Sequence, residues 1–406
     1  MGKLELKVIP LISNNDSSQS QFDSMQNYLD KINENQNFCL KFCNVDEVKK
    51  SKYCIVFVGG GGTESEFLKV YKKLPSNIYL LTTKVNNSLA ASMEILSFLY
   101  DKKINSEILH GSIEQIAKRI SQIGNNFNTL NLLSKTCIAR IGRPSDWLIA
   151  SDVNADKLLR KFGVRVIDID MDEFIAEINK NAYEEDDWTT EFKKLKFNDE
   201  EMQKALSVYG AILRLKEKYQ FNALTVRCFD LLTTVKTTSC IALSLLNAQG
   251  IHSACEGDVP SLMSMIIAKT LTQKPVFQSN PSIIDKDNNQ VLLAHCTLPF
   301  DMSSSKELMT HFESGIGVAL RGKIQEGEAT VFKCSGLLDR YFCSSAKITQ
   351  NLEDMDSCRT QIMVKLDRSV EYFFRQPIGN HHIVINGDYA GDIDSFFSDC
   401  LQIKSL

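Results

Sequence analysis

Glutamate, asparagine and histidine side chains in the C-terminal half of this 406-residue chain have the types and spacing of a metal site. Glu256 and His295 offer a carboxylate oxygen and an imidazole nitrogen, and one of the adjacent pair His381 and His382 can add a second imidazole. Such ligands suit Mn²⁺, Mg²⁺, Co²⁺ or Zn²⁺. The segments that carry the candidates are ACEGDVPS (254–261), FQSNPSIID (277–285), LLAHC (292–296) and GNHHIVINGD (379–388). This pattern predicts a divalent-metal site.

The predicted elements place each candidate ligand at the end of a strand. Glu256 lies between a short strand and a helix predicted over 260–271. His295 closes a strand, and the pair His381 and His382 opens another. Side chains in these positions fit one site built at strand ends.

Strands and helices are predicted to alternate as far as about residue 300. Such alternation indicates a mainly parallel sheet with helices on both faces. A charged run at 184–196 is predicted to be a solvated connection between elements. The predicted strands are 4–12, 53–58, 78–82, 136–141, 164–169 and 223–227, and the predicted helices are 64–74, 88–100, 172–179, 199–219, 239–249 and 260–271.

Beyond residue 300 short strands replace the long helical patterns, which is typical of a β-barrel or sandwich module. The predicted strands there are 316–320, 329–334, 360–366 and 382–385. The fold class predicted is therefore α/β, with two Rossmann-like parallel-sheet domains followed by a C-terminal β-rich, barrel-like domain. The predicted boundaries are 1–135, 136–300 and 301–406, the last contributing His381 and His382.

Composition narrows the function classes. A net charge of −4 provides no strong field for nucleic acid or an anionic membrane. No apolar run approaches the roughly 18 residues that span a bilayer, and the N-terminus lacks the features of a signal peptide. The twelve cysteines contain no CxxC pair, which favours free thiols in a reducing compartment. We expect a cytoplasmic protein with a small-molecule substrate.

Three motifs resemble segments of the L-arabinose isomerases. ACEGDVPSLMSM resembles the segment in which the glutamate of a Glu-Gly-Asp triplet binds manganese and acts as acid and base. VLLAHC resembles the segment with a histidine ligand, and GNHHIV the Gly-x-His-His segment whose second histidine is a ligand. The resemblance implies that Glu256, His295 and His382 bind the metal and that His381 faces substrate.

Five further stretches are similar to the fucose-isomerase-like branch of the same superfamily, and their order along the chain agrees with it. They are NNSLAASMEIL, GRPSDWLIAS, TVRCFDLL, TTSCIALSLLNAQGI and CRTQI. The resemblance implies an aldose–ketose isomerase that uses Mn²⁺, or else Co²⁺ or Mg²⁺. It also implies a homo-trimer or homo-hexamer whose site is completed by a neighbouring subunit.

One departure from the family pattern concerns its second carboxylate. The family has an Asp or Glu two or three residues after Phe277, where this chain has Ser279 and Asn280. Asn280 can offer a carbonyl oxygen to a hard metal but cannot take a proton. Glu256 can suffice as the base that moves the carbon proton, with Asp258, Asp285 or a metal-bound water as helper.

Other polar residues are weaker candidates for contact with a sugar. Asp146 and Trp147 can form a wall for the sugar, or serve packing alone. His311, with Glu313, can reach substrate hydroxyls, or lie in an exposed loop without a role.

Three hypotheses follow. The first is metal-dependent isomerisation of an aldose, which can be deoxy, phosphorylated or sulfonated, to its ketose through an enediol. The second, motivated by Asn280, is a non-catalytic sugar-binding or regulatory relative. The third is another metal-assisted reaction on a sugar acid or sugar phosphate, such as epimerisation or carbon–carbon cleavage.

Overall fold

A computed structural model describes residues 4–13, 18–303 and 305–406, whose contacts form two compact units. The first unit comprises residues 1–128 and 395–402, and the second comprises residues 129–394 and 403–406. The candidate ligands named above all belong to the second unit.

The first unit is built on a five-stranded parallel sheet with strand order β2-β1-β3-β4-β5. Its strands are β1 (Leu4–Leu11), β2 (Phe38–Phe42), β3 (Cys54–Val58), β4 (Asn77–Leu81) and β5 (Asn105–Leu109). Every residue of β3 and β4 is buried, as expected for central strands of a parallel sheet. The helices that alternate with the strands are α1 (Ser18–Asn33), α2 (Glu64–Val70), α3 (Ser88–Asp101) and α4 (Ile113–Leu133).

A second parallel sheet opens the second unit, with strand order β7-β6-β8-β9. Its strands are β6 (Cys137–Ile141), β7 (Arg165–Ile169), β8 (Ala223–Val226) and β9 (His252–Cys255). The helices are α5 (Ala155–Phe162), α6 (Met171–Ile178), α7 (Asp187–Lys193), α8 (Asp199–Tyr219), α9 (Asp230–Thr234), α10 (Cys240–Ala248) and α11 (Val259–Thr272). The carboxyl ends of β6, β8 and β9 meet at one edge, where ligands of such sheets usually bind.

Eight strands remain among the described residues, and six of them form a closed antiparallel barrel of order β10-β11-β16-β15-β14-β17. They are β10 (Val276–Asp285), β11 (Gln290–His295), β12 (Ser305–Met309), β13 (Ala319–Lys323), β14 (Gly327–Cys334), β15 (Tyr341–Leu352), β16 (Thr360–Leu366) and β17 (His382–Asn386). Strands β12 and β13 pair outside the barrel. The helices of this region are α12 (Tyr372–Arg375) and α13 (Ala390–Leu401).

One hydrophobic core runs through the second unit from the parallel sheet into the barrel. It includes Leu224 and Val226 of β8, Phe277 of β10, and Val331 and Val384 of the barrel, all fully buried. Because a close-packed core is hardly compressible, residues at the sheet edge and on the barrel strands are held at fixed separations.

The predicted fold class is confirmed: two parallel sheets precede a closed antiparallel barrel. Two local predictions were wrong. The run 184–196 contains helix α7. The side chain of Asp186 caps its N-terminus by accepting the backbone N–H of Thr189, and Phe192 of the helix is buried. The strand predicted at 316–320 begins at Ala319 instead. The barrel also takes β10 and β11 from before residue 301, while the three-domain division stays a prediction.

Among the described residues, no helix is long and apolar enough to cross a membrane. All twelve cysteines are free thiols, as predicted.

Candidate functional site

Glu256 sits in a tight turn between β9 and α11. Its φ is 64° and that of Gly257 is 76°, both in the left-handed region. Asp258 then begins α11, its side chain accepting the backbone N–H of Ser261 at 2.8 Å. The Glu256 carbonyl accepts the N–H of Ser145 at 2.9 Å, from the segment that follows β6. The turn therefore holds Glu256 at the edge of the sheet, in a backbone conformation that surrounding contacts must enforce.

Three buried side chains bring their ligand atoms together beside this turn. Glu256 Oε1 lies 3.5 Å from His381 Nε2 and 4.0 Å from His295 Nε2, and one ligand atom from each residue lies within 4.8 Å of the others. Glu256 is 7% exposed, His295 4% and His381 0%. His381 Nε2 is buried without a hydrogen-bond partner, which is the state expected of an atom reserved for a metal. The donor set fits a divalent cation.

The second ring nitrogen of each histidine fixes its orientation. His381 Nδ1 donates to Asp258 Oδ2 at 2.8 Å, and His295 Nδ1 is hydrogen-bonded to Thr297 Oγ1 at 2.8 Å. Both rings therefore turn Nε2 toward Glu256. This arrangement, a carboxylate or hydroxyl behind a ligating histidine, is the usual support of metal ligands.

Lys333 of β14 is a component of the site that sequence reasoning missed. Its side chain is 1% exposed, and Nζ donates to Ser261 Oγ at 2.7 Å and lies 3.5 Å from Asp258 Oδ2. The signal was present, because Lys333 interrupts a run of apolar residues in a predicted strand, and a buried lysine requires a partner. Lys333, Asp258 and His381 form a continuous chain of contacts that ends at Glu256.

The electrostatics of the group follow from burial and from these contacts. Burial alone raises the pKa of Glu256, but the close approach and charge of His381 outweigh it and lower that pKa to about 2. Burial lowers the pKa of His381, yet Asp258 and Glu256 raise it to about 9. Burial, with the His381 charge, lowers the pKa of His295 to about 3. The His381 imidazolium and Lys333 together oppose the two carboxylates of Glu256 and Asp258, and a cation bound here would replace the proton of His381 Nε2.

His382 is placed differently from the prediction based on resemblance. Its Nδ1 donates to Asn380 O at 2.9 Å, and its Nε2 lies 3.0 Å from Tyr372 Oη. The ring packs against Phe342, Tyr372 and Phe373. Both nitrogens are therefore engaged, and the structure brings His381 rather than His382 to the Glu256 group.

A cavity lined by Glu256 and His295 has room for about two waters. Its polar lining residues are Thr238, Glu256, Asn280, His295, His311 and Glu313.

The remaining predicted site residues lie at different distances from this cavity. Asn280 and His311 line it, whereas Asp258 is fully buried behind His381. Trp147 is half exposed and donates from Nε1 to Glu256 Oε2 at 2.7 Å. Asp146 is exposed and pairs with Arg227 at 2.9 Å. Trp147 thus contacts the Glu256 carboxylate directly. Asp146 does not contact that carboxylate and is connected to it only as the residue before Trp147 in sequence.

Cysteines form much of the remaining wall of the cavity. They are Cys228, Cys240, Cys255, Cys296 and Cys358. Cys228 Sγ lies 3.1 Å from Cys255 Sγ, and the contact with Cys228 together with burial raises the pKa of the Cys255 thiol. Cys255 is therefore a protonated packing residue.

Comparison with known proteins found no matching family model. Three curated relatives are named sulfoquinovose isomerase. The protein of Clostridium sp. (strain MSTE9) is 30% identical over 213 residues, which is 48% of this chain and 47% of that protein. Those of Priestia aryabhattai and Alkalicoccus urumqiensis are 24% and 22% identical over 56% and 61% of this chain, and 53% and 59% of their own lengths. The chain spans about half the length of the curated relatives it matches.

Proposed function

We propose that this chain, a distant member of the L-fucose and L-arabinose isomerase-like superfamily, is a metal-dependent aldose–ketose isomerase of a sulfonated sugar. The observation that carries the proposal is the convergence of ligand atoms from Glu256, His295 and His381, of which Glu256 and His295 also line a cavity at the sheet edge. The names of the curated relatives support the reaction and the sulfonated substrate.

The metal would be held by Glu256 Oε1, His295 Nε2 and His381 Nε2, with Asn280 on the cavity wall as a further oxygen donor. When bound, a divalent ion would polarise the sugar's carbonyl and hydroxyl oxygens and so acidify the C–H bond between them. Mn²⁺ is our first choice, with Co²⁺ and Mg²⁺ as alternatives. This assignment favours His381 over His382 as the third ligand, because only His381 has a free nitrogen in the cluster.

Glu256 is the proposed base that moves a proton between C2 and C1 of the sugar. Its pKa of about 2 keeps it ionised at neutral pH, so it can accept a proton. The Trp147 N–H fixes Oε2, and the turn fixes the backbone, so the carboxylate reaches both carbons from one face. Asp258 acts through His381 as a positioning residue, because it is fully buried and does not line the cavity.

Glu313 is the proposed second acid and base, for the proton exchanged between the two oxygens. It lines the cavity, and burial together with the Glu256 charge raises its pKa. A carboxyl group so placed can supply the function that Asn280 cannot.

The proposal is tested by assaying Mn²⁺-loaded protein for ketose formation from sulfoquinovose, glucose, L-fucose and L-arabinose. We expect turnover of the sulfonated aldose, and a loss of about 10²–10⁴-fold in Glu256→Gln. Chelation should abolish activity and Mn²⁺ should restore it. Ketose formation at the same rate after chelation would refute metal dependence.

A non-catalytic sugar-binding protein is the second candidate, because Asn280 replaces the family carboxylate on the cavity wall. It predicts saturable binding of one sugar by metal-loaded protein with no ketose formed. A homo-trimer or homo-hexamer with a site shared between subunits, and a cytoplasmic location, remain predictions from the resemblance and composition.

A further inference from the structure

Arg359 is a buried cation without a carboxylate partner in the described part of the chain. It is 6% exposed, its Nε donates to Thr310 O at 2.8 Å, and its Nη2 lies 3.3 Å from Thr310 Oγ1. Its Nη1 is buried and has no hydrogen-bond partner. A buried guanidinium is expected to be paired, because its desolvation is otherwise uncompensated. Nothing in the barrel packing requires a charge at this position.

The other arginines of comparable burial show the expected pairing. Arg119 binds Glu107 and Asp399, and Arg140 binds Asp152 and Asp168. Arg359 therefore differs from them in having no carboxylate partner among the described residues, which is the condition of a site that awaits an anion.

Arg359 adjoins the residues that line the cavity of the proposed active site. Its neighbour in sequence, Cys358, lines that cavity, and its guanidinium carbon lies 5.8 Å from the ring centroid of Phe312. Phe312 stands in sequence between His311 and Glu313, which also line the cavity. Thr310 and Phe312, the hydrogen-bond and aromatic partners of Arg359, thus both belong to the connection between β12 and β13.

The first turn of α10 forms the adjacent part of the wall. Cys240, its first residue, packs with Cys296 and Ala319, and against Phe312 and Cys358. The hydroxyl groups of Thr237 and Ser239 precede Cys240 in sequence. Backbone N–H groups at a helix N-terminus favour an anion.

Two hydroxyls before α10 have no hydrogen-bond partner. Ser239 Oγ and Thr237 Oγ1 are both buried, and Thr238, which lies between them, lines the cavity. The unpaired donors of Thr237, Ser239 and Arg359 therefore each belong to a residue next in sequence to one that lines the cavity.

We propose that Arg359 and the first turn of α10 form a subsite for the anionic group of the sugar, a tetrahedral oxyanion such as a sulfonate. This inference rests on the proposed function for the presence of a sugar in the cavity. The guanidinium neutralises the anion and fixes which end of the sugar enters, so that the reacting carbons face Glu256.

The test is calorimetric binding of sulfoquinovose, glucose 6-phosphate and glucose to Mn²⁺-loaded wild type, Arg359→Gln and Arg359→Lys. We expect Arg359→Gln to weaken sulfoquinovose about 10–100-fold and to leave glucose unchanged, with Arg359→Lys between. If the subsite binds a phosphate rather than a sulfonate, glucose 6-phosphate should bind as tightly as sulfoquinovose or more tightly. Arg375→Gln, a loss of the same charge from a side chain 80% exposed, is the control and should match wild type.

The outcomes separate this inference from the proposed function. Binding of the anionic sugar that depends on Arg359 but yields no ketose would support the subsite and refute the isomerase. Ketose formation that is equal in wild type and Arg359→Gln, or an equal loss of all three sugars in Arg359→Gln with native circular dichroism, would refute the subsite alone.

Discussion

At the scale of single residues, the site depends on which nitrogen of which histidine is free. His381 turns Nε2 to Glu256 because Asp258 holds Nδ1, whereas His382 has both nitrogens engaged. The adjacent pair was visible in the sequence, and so were Glu256 and His295. The choice between the two histidines was not, because it depends on Tyr372 and Asp258, which lie far from one another along the chain.

The histidine assignment predicts different metal affinities for two variants. His381→Gln removes a ligand, so we expect the Mn²⁺ Kd to rise more than about 100-fold, above the range for loss of a supporting residue. His382→Gln should change it less than about tenfold. Electron paramagnetic resonance of free Mn²⁺ measures both. The reverse ranking would return the ligand role to His382.

Lys333 should stabilise the fold through Asp258. Lys333→Met removes one of the two cations that contact the buried Asp258 carboxylate, so we expect a loss of about 3–5 kcal/mol in the free energy of unfolding. The double variant Lys333→Met with Asp258→Asn should recover part of that loss, because no buried charge is then left unpaired. Urea denaturation measures each. Additive losses in the double variant would show that the two residues do not interact.

At the scale of elements, the site is made by turns at strand ends. The long parallel strands and the helices at 199–219 and 259–272 followed from hydrophobic periodicity. Helix α7 did not, because its charged sequence hides the two features that stabilise it, the Asp186 cap and buried Phe192. Closure of the barrel around β10 and β11 could not be predicted either, because strand pairing between distant segments leaves no local pattern.

The turn at Gly257 predicts a stability difference between two glycine variants. A Cβ at Gly257 would lie 2.6 Å from Pro144 Cα, whereas one at Gly250 would meet nothing within 4 Å, although φ is positive at both. Backbone strain in Gly250→Ala should therefore lower the free energy of unfolding by only about 1–2 kcal/mol. Gly257→Ala should lose more and weaken Mn²⁺ binding, since it shifts Glu256. Equal losses by thermal denaturation, with metal binding intact in both, would contradict this reading of the turn.

At the scale of the whole molecule, the second unit combines a parallel sheet and a closed barrel in one core, and each supplies ligands. Glu256 comes from the sheet edge, and His295 and His381 from the barrel strands β11 and the start of β17. The predicted fold class is confirmed. Lys333 and Arg359, by contrast, acquire their roles only through this packing, because their partners are separated from them by tens of residues.

Proton NMR of Mn²⁺-loaded protein with sulfoquinovose in D₂O tests the proposed enediol isomerisation. We expect the ketose to accumulate and deuterium to enter at C2 of the aldose and C1 of the ketose, with neither change in Glu256→Gln. Bound sulfoquinovose that gives neither ketose nor deuterium exchange, at saturating Mn²⁺, would contradict it.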